Sequence, residues 1–341
     1  MRILITGGLG YIGSHTCVAL LESGFDVAVV DNLSNCDEMV LHRIEQITGC
    51  NPILFVGDIR DSRFLQNIFA DFQPEAVIHF AGVKSVGESI EKPVRYYDNN
   101  VAGTISLVNC MQRADVKTLV FSSTANVYGN AASMPISEKT PTEPNNPYGR
   151  SKLMAEEILC DLTTADPAWR VACLRYFNPV GAHASGLIGE NPLDLPSNLM
   201  PIIAQVARRV RAKLSIYGQD YATPDGTGVR DFIHVMDLAE SHLAALRYLS
   251  TADSPANKFL LANIGTGKPI SVLEMVLAFE HHTGVPIPYE FFPRRTGDIA
   301  VSYADASLAE RTMGWKARFG LEDMCKDTWR WHLMNLKGYQ K

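Results

Sequence analysis

Tyr148 and Lys152 stand four residues apart in Tyr148-Gly149-Arg150-Ser151-Lys152. On a helix that spacing puts both on one face, about one turn from each other. The pair can handle a proton. A free phenol, with a pKa of about 10, is a poor base at neutrality. A neighbouring ammonium and an oxidised nicotinamide ring would each stabilise its phenolate. Upstream, Gly8-Leu9-Gly10-Tyr11-Ile12-Gly13 follows a strand-like run and opens a helix-like one. Such a turn lets the backbone approach a dinucleotide pyrophosphate, with the helix N-terminus aimed at the anion. The expected chemistry is alcohol–ketone redox, with Tyr148 removing the hydroxyl proton.

Other residues fit around this pair. Asp31 ends the second strand-like run, 18 residues after Gly13. It can accept hydrogen bonds from the adenosine ribose, and its charge would repel a 2′-phosphate, so NAD is expected over NADP. Asp58-Ile59 follows the third run, where the adenine would lie. Lys84, in Phe80-Ala81-Gly82-Val83-Lys84, follows the fourth run and could neutralise pyrophosphate. Ser122-Ser123-Thr124 ends the fifth. A hydroxyl there can bridge the substrate oxygen and the phenol. Pro147 suits the first position of the helix that carries Tyr148.

These residues need a scaffold of alternating strands and helices. Strands are expected at Arg2–Thr6, Asp26–Val30, Ile53–Val56, Ala76–Phe80, Thr118–Ser122 and Val171–Arg175. Several are almost continuously apolar, as strands covered on both faces should be. Helices are expected at Ser14–Ser23, Arg63–Phe72, Ala102–Arg113 and Pro147–Leu162. The alternation predicts an α/β fold with a Rossmann-type doubly wound parallel sheet. Past residue 176 the pattern changes. Asn178–Leu195 and Tyr217–Arg230 are turn-rich, and helices are expected at Pro201–Arg211, Asp237–Leu249 and Val272–His281. We expect a cofactor domain over 1–176 and a smaller, irregular α/β substrate domain over 177–341, with segments near 229–249 returning to the first.

Composition narrows the class. The chain has 341 residues, is 46% apolar and carries a net charge of −6, which argues against general nucleic-acid or membrane-surface binding. The seven cysteines are scattered, with no CxxC pair and no metal-ligand cluster, so reduced thiols in the cytoplasm are expected. His281-His282 reads as an exposed helix end, and no metal is expected. No targeting segment and no membrane span are expected.

At this point the chain resembles the extended short-chain dehydrogenase/reductase family, and within it the UDP-glucose 4-epimerases, over nearly its whole length. The resemblance rests on Thr6–His15, Val77–Gly82, Tyr96–Asn100, Tyr148–Lys152, Leu174–His183 and Asp225–Asp231. It implies reversible 4-epimerisation of UDP-glucose and UDP-galactose. Tyr148 would take the sugar 4-hydroxyl proton while hydride passes from C4 to tightly held NAD. The 4-keto sugar would swing, and hydride would return to its opposite face. By the same resemblance NAD lies on Gly7, Gly10, Tyr11, Ile12, Gly13, Asp31, Asn32, Asn35, Asp58, Ile59, Phe80, Ala81, Gly82, Lys84, Asn99, Ser122, Tyr148, Lys152 and Phe177. The UDP-hexose lies on Lys84, Thr124, Tyr148, Asn178, Asn198, Leu199, Tyr217, Arg230, Arg295, Asp298 and Ser302. Tyr217 would pack on the uracil, and Arg230 and Arg295 would clamp the diphosphate.

Thr124 stands where the family usually has serine, and its hydroxyl is retained. Ser302 matches a position where some members carry a tyrosine that blocks a 2-acetamido sugar. Its small side chain predicts that UDP-GlcNAc and UDP-GalNAc are also interconverted. The resemblance further implies a homodimer joined through helices near 102–113 and 147–162. A 4,6-dehydratase would need an acid/base pair after Thr124, where this chain has Ala125-Asn126. A UDP-glucuronate decarboxylase and a nonenzymatic NAD sensor are the other readings; intact Tyr148 and Lys152 count against the sensor.

Overall fold

Ile3, Leu4 and Ile5 are fully buried in a run with no polar break, and the residues on either side of them set the pattern for the whole sheet. The computed structural model describes residues 1–193, 198–251, 258–295 and 297–339; the end of the turn-rich run, Asp194-Leu195, lies outside them. Its strands are β1 (Arg2–Thr6), β2 (Asp26–Asp31), β3 (Ile53–Val56), β4 (Ala76–His79), β5 (Thr118–Thr124), β6 (Arg170–Tyr176), β7 (Asn178–Val180), β8 (Leu214–Tyr217), β9 (Val229–His234), β10 (Phe259–Ile264), β11 (Pro269–Ser271), β12 (Tyr289–Phe292) and β13 (Val301–Ser302). Its helices are α1 (Tyr11–Glu22), α2 (Met39–Thr48), α3 (Ser62–Phe72), α4 (Val86–Glu91), α5 (Pro93–Tyr96), α6 (Gly103–Arg113), α7 (Pro147–Ala165), α8 (Leu199–Ala207), α9 (Val235–Thr251), α10 (Val272–Thr283), α11 (Ser307–Met313) and α12 (Leu321–Met334).

Seven strands form one parallel sheet in the order β10-β6-β5-β4-β1-β2-β3. Alternating residues along β1 face different cores. Ile3 and Ile5 pack with Val18 and Leu20 of α1 and Leu243 of α9, while Leu4 packs with Leu65 of α3, Leu107 of α6 and Leu159 of α7. This is the expected Rossmann-type sheet. Strand order reverses between β1 and β4, the topological switch where a doubly wound fold opens its ligand crevice. The six expected strands form within a residue or two of their predicted bounds. β10 was not anticipated; it extends the sheet beyond β6.

Two further groups of strands lie outside this sheet. β9 pairs with β7, β11 and β13, and β8 pairs with β12. These short strands surround a third core that includes Met200, Phe232, Met275 and Phe279. Helix α9 follows β9 directly but packs against α1. Ahead of α6 the chain winds as a π-helical turn, Tyr97–Ala102, where sequence periodicity had given a helix from Ala102.

Candidate active site

The glycine turn joins β1 to α1. Gly7 has φ +71°, a conformation that L side chains rarely adopt, and a Cβ there would lie 2.7 Å from the Ala81 nitrogen. A Cβ on Gly13 would lie 2.3 Å from the Gly7 carbonyl oxygen. These contacts bring α1 hard against the turn. Gly10 caps α1 with no side chain, so the first N–H groups of the helix, those of Tyr11, Ile12 and Gly13, face the crevice without intrahelical partners. The cradle therefore fits an anionic dinucleotide. Tyr11 turns its hydroxyl away to the Gly181 carbonyl, 2.7 Å.

The adenosine end is more tightly knit than the sequence alone conveys. Asp31 accepts from Leu9 N at 3.1 Å, Leu33 N at 3.0 Å and Cys36 Sγ at 3.2 Å. It ties the glycine turn to the loop after β2. Asn32 donates to Asp58 at 3.5 Å, and Asn35 accepts from Leu193 N at 3.0 Å. Arg60 grips both oxygens of Asp58 at 2.9 and 2.6 Å, and its guanidinium lowers the Asp58 carboxyl to about 2. Asp58, expected from the sequence to meet the adenine, is thus already partnered. Ile59 is buried against Gly103 of α6.

On the other side of the switch, Phe80, Ala81, Gly82 and Lys84 follow β4. Phe80 stands 4.7 Å from the His242 ring. The Ala81 nitrogen donates to the Thr6 carbonyl at 3.0 Å. Asn100, from the π-helical turn, accepts from Val83 N at 2.9 Å and donates to Val83 O at 3.0 Å and Ser151 Oγ at 2.9 Å. It clamps the post-β4 loop to α7, a role periodicity could not reveal. Its neighbour Asn99 is half-buried beside it.

Helix α7 starts where it does because Asn146 accepts from Gly149 N at 2.8 Å and Pro147 occupies the first turn. That fixes Tyr148 at the helix mouth and Lys152 one turn in. Lys152 is buried; its Nζ donates to the Ser122 carbonyl at 2.8 Å and lies 4.8 Å from the centre of the Phe121 ring. Burial lowers Lys152 to about 8, with the Glu156 carboxylate opposing. Burial also raises the Tyr148 phenol, while its hydrogen bond with Thr124 pulls it back down. The side chains around Tyr148 thus leave its phenol less acidic than a free one.

The expected substrate residues gather beyond this helix. Asn178, exposed, starts β7, and Phe177 beside it is buried with Tyr128 and Ile136. Asn198 caps α8, whose first residue is Leu199. Arg230 on β9 is in register with Ser302 on β13, so the two sit side by side on neighbouring strands. The Arg230 guanidinium is steadied by the carbonyls of Val229 and Ile299, both at 2.9 Å. Arg295 covers the Tyr217 ring at 4.0 Å and lies 3.9 Å from Asp298. Arg294 is engaged elsewhere, with Asp220 at 2.8 Å and over the Tyr221 ring at 4.2 Å.

Comparison with known proteins settles the family. A family model described as GDP-mannose 4,6 dehydratase matches residues 4–328. The UDP-glucose 4-epimerase of Bacillus subtilis (strain 168) is 52% identical over 341 residues, covering 100% of this chain and 99% of that protein. The chain belongs to the UDP-glucose 4-epimerase family. Two solved epimerases share its fold. The one from Stenotrophomonas maltophila, with bound NAD and formylated UDP-arabinopyranose, is 51% identical with a TM-score of 0.96 over 99% of each chain. The one from Bifidobacterium longum, in complex with NAD+ and UDP, is 48% identical with a TM-score of 0.94 over 99% of this chain and 100% of that one.

Seen as an epimerase-family site, the crevice holds a residue that sequence reasoning missed. Glu190 accepts from Lys84 Nζ at 3.4 Å and from Asn198 Nδ2 at 2.6 Å. One carboxylate thus links a residue expected at the cofactor with one expected at the substrate. Its only signal in the sequence was its place in a turn-rich run. The Asp225–Asp231 motif also divides in two. Asp231 accepts from Thr266, Gly267 and Ala304, and Asp225 from Thr227 and Ser271; these carboxylates knit the strands that present Arg230. Among the described residues, no group of three or more His, Cys, Asp or Glu side chains is placed to hold a metal ion.

Proposed function

We propose that the chain interconverts UDP-glucose and UDP-galactose by reversible epimerisation at C4, with NAD held on the β1–α1 glycine turn. The observation that carries this reading is the Tyr148–Lys152 pair, anchored to the end of β5 beside that turn. When bound, NAD would supply reversible hydride exchange at C4 and, in its oxidised form, a positive charge near the phenol. Gly7, Gly10 and Gly13 admit its pyrophosphate, and Asp31 with the loop after β2 receives its adenosine. Tyr148 accepts the 4-hydroxyl proton and later returns it. Thr124 hydrogen-bonds the phenol and the sugar oxygen, in place of the family's usual serine. Lys152 holds the nicotinamide ribose. Arg230 and Arg295 hold the diphosphate, with guanidinium forks suited to paired oxygens, and Asn178 and Asn198 assist. A sugar anchored through its diphosphate can turn between the two transfers and offer its other face. A 4,6-dehydratase is disfavoured, because Asn126 donates to Thr124 at 3.1 Å and Ala125 carries no acid.

Ser302 supports a wider substrate range. It is small, half-buried and next to Arg230, which favours acceptance of UDP-GlcNAc and UDP-GalNAc. A homodimer is supported by apolar side chains left exposed on adjoining helices: Ile90 of α4, Val94 of α5, Ile105 of α6 and Met154 of α7. On this reading residues 1–176 serve as the cofactor domain, joined by the returning α9 and β10, and the rest of 177–341 as the substrate domain. No helix among the described residues is long and apolar enough to cross a membrane, and the seven cysteines are free thiols, which suits a cytoplasmic enzyme.

The test is incubation of the purified protein with UDP-galactose and no added NAD. UDP-glucose should form. Tyr148→Phe should lower kcat by roughly 10²- to 10⁴-fold while NAD stays bound. Unchanged turnover would remove Tyr148 as the base.

A further inference from the structure

Three consecutive residues at the end of β5 each hold one turn of α7. The Ser122 carbonyl accepts from Lys152, the Ser123 hydroxyl donates to the Glu156 carboxylate, and the Thr124 hydroxyl is the hydrogen-bond partner of Tyr148. Tyr148, Lys152 and Glu156 follow one another at four-residue steps on a single helix face. The first two belong to the proposed chemistry. Glu156 has no role there, yet it is as buried as Lys152 and more so than the half-buried Tyr148. Its side chain is 4% exposed, and so is that of its partner Arg175. Arg175 binds both carboxylate oxygens, Nε at 2.9 Å and Nη2 at 2.6 Å. It also lies over the Tyr128 ring at 4.7 Å, and its Nη1 is buried without a hydrogen-bond partner.

An ion pair buried this deeply contributes little to stability, because desolvation offsets the attraction. Its position suggests what else it does. We propose that Glu156 is a positioning residue for the Tyr148–Lys152 pair: its carboxylate, held by Arg175 and Ser123, keeps Lys152 charged and aimed at the cofactor crevice. The inference rests on the reading of the site given above.

The surroundings of Lys152 leave this task to Glu156. His79 of β4 faces the ammonium, but burial lowers its ring to about 3 and keeps it neutral. Cys173 of β6 faces it too, and burial pushes that thiol well up, so it is also neutral. Tyr148 on the same helix is a neutral phenol in the absence of cofactor. Arg175, also on β6, is taken up by the carboxylate itself. Burial favours loss of the lysine proton, and the Glu156 carboxylate supplies the opposing field.

The experiment compares the pH dependence of kcat for wild type, Glu156→Gln, Glu156→Asp and the double variant Glu156→Gln/Arg175→Met. The double variant removes both charges at once, so no unpaired charge remains buried. If Glu156 sustains the charge on Lys152, the alkaline limb of the kcat profile should move down by about one pH unit in both glutamine variants. KM should change less than about twofold. Glu156→Asp should restore most of the wild-type limb. A uniform drop in kcat at every pH, a profile superimposed on wild type, or a double variant that fails to fold would each overturn the proposal. Wild type with no turnover at all would strike the reading of the site itself.

Discussion

Ser302 puts a large consequence on a small side chain. It lies on a two-residue strand beside Arg230, where added bulk would project into the space proposed for the sugar. Pocket discrimination by a steric group is commonly worth about 10- to 200-fold. Ser302→Tyr should lower kcat/KM for UDP-GlcNAc by that order and leave UDP-galactose within a few-fold of wild type. Equal losses on both sugars, or a wild type inert toward UDP-GlcNAc, would sink the gating role. Residues of this kind were legible because their neighbours in sequence are distinctive. Asp31 could be found by its spacing from Gly13, and Lys152 by its spacing from Tyr148. Glu190 could not, since its partner Lys84 is 106 residues away. Nor could the grip of Arg60 on Asp58, because an acidic turn followed by an arginine is common on any surface.

At the scale of elements, the turn between β1 and α1 is the tightest packing in the cofactor site. A methyl at Gly13 would meet the backbone of Gly7 and Gly8 at 2.3 and 2.8 Å, and backbone cannot rotate away as a side chain can. Gly13→Ala should therefore tilt α1 off the turn. The expected cost is about 1–3 kcal/mol from overpacking, with loss of bound NAD. Cofactor content after denaturation and the melting temperature would measure both; a variant with full NAD content would refute the close-packing argument. The long elements were legible because burial on both faces imprints continuous apolar runs, as in β1, β2 and β6. The short strands were not. β13 has two residues, and β7 reads Asn-Pro-Val with a proline that cannot donate to a ladder. Their pairing is imposed by β9 rather than by their own pattern. The π-helical turn ahead of α6 was hidden for a similar reason. It is fixed by the bonds of Asn100 to Val83 and Ser151, which no local periodicity encodes.

Across the whole molecule, three buried histidines, His15, His79 and His242, and the half-buried His332 are held neutral. Burial lowers His15 and His79 to about 3 and His242 and His332 to about 4. The unfolded chain, with an ordinary histidine pKa of about 6.5, binds protons first as pH falls. Stability should therefore be full above about pH 6.5 and decline below it, by up to about 1.4 kcal/mol per pH unit for each histidine. The carboxyls of Asp231, Asp237 and Glu138, pushed up by burial, work against this trend at lower pH. Urea denaturation at pH 7.5, 6.5 and 5.5 in the same ionic strength, values spanning the histidine range, would show the decline; a flat series would contradict it. On the proposed assignment, Tyr148 and Lys152 sit on α7 against the end of β5 in the seven-stranded sheet, while Arg230 and Ser302 ride on strands outside it. A descendant lineage could then exchange one sugar preference for another, substitution by substitution, while inheriting its redox apparatus intact.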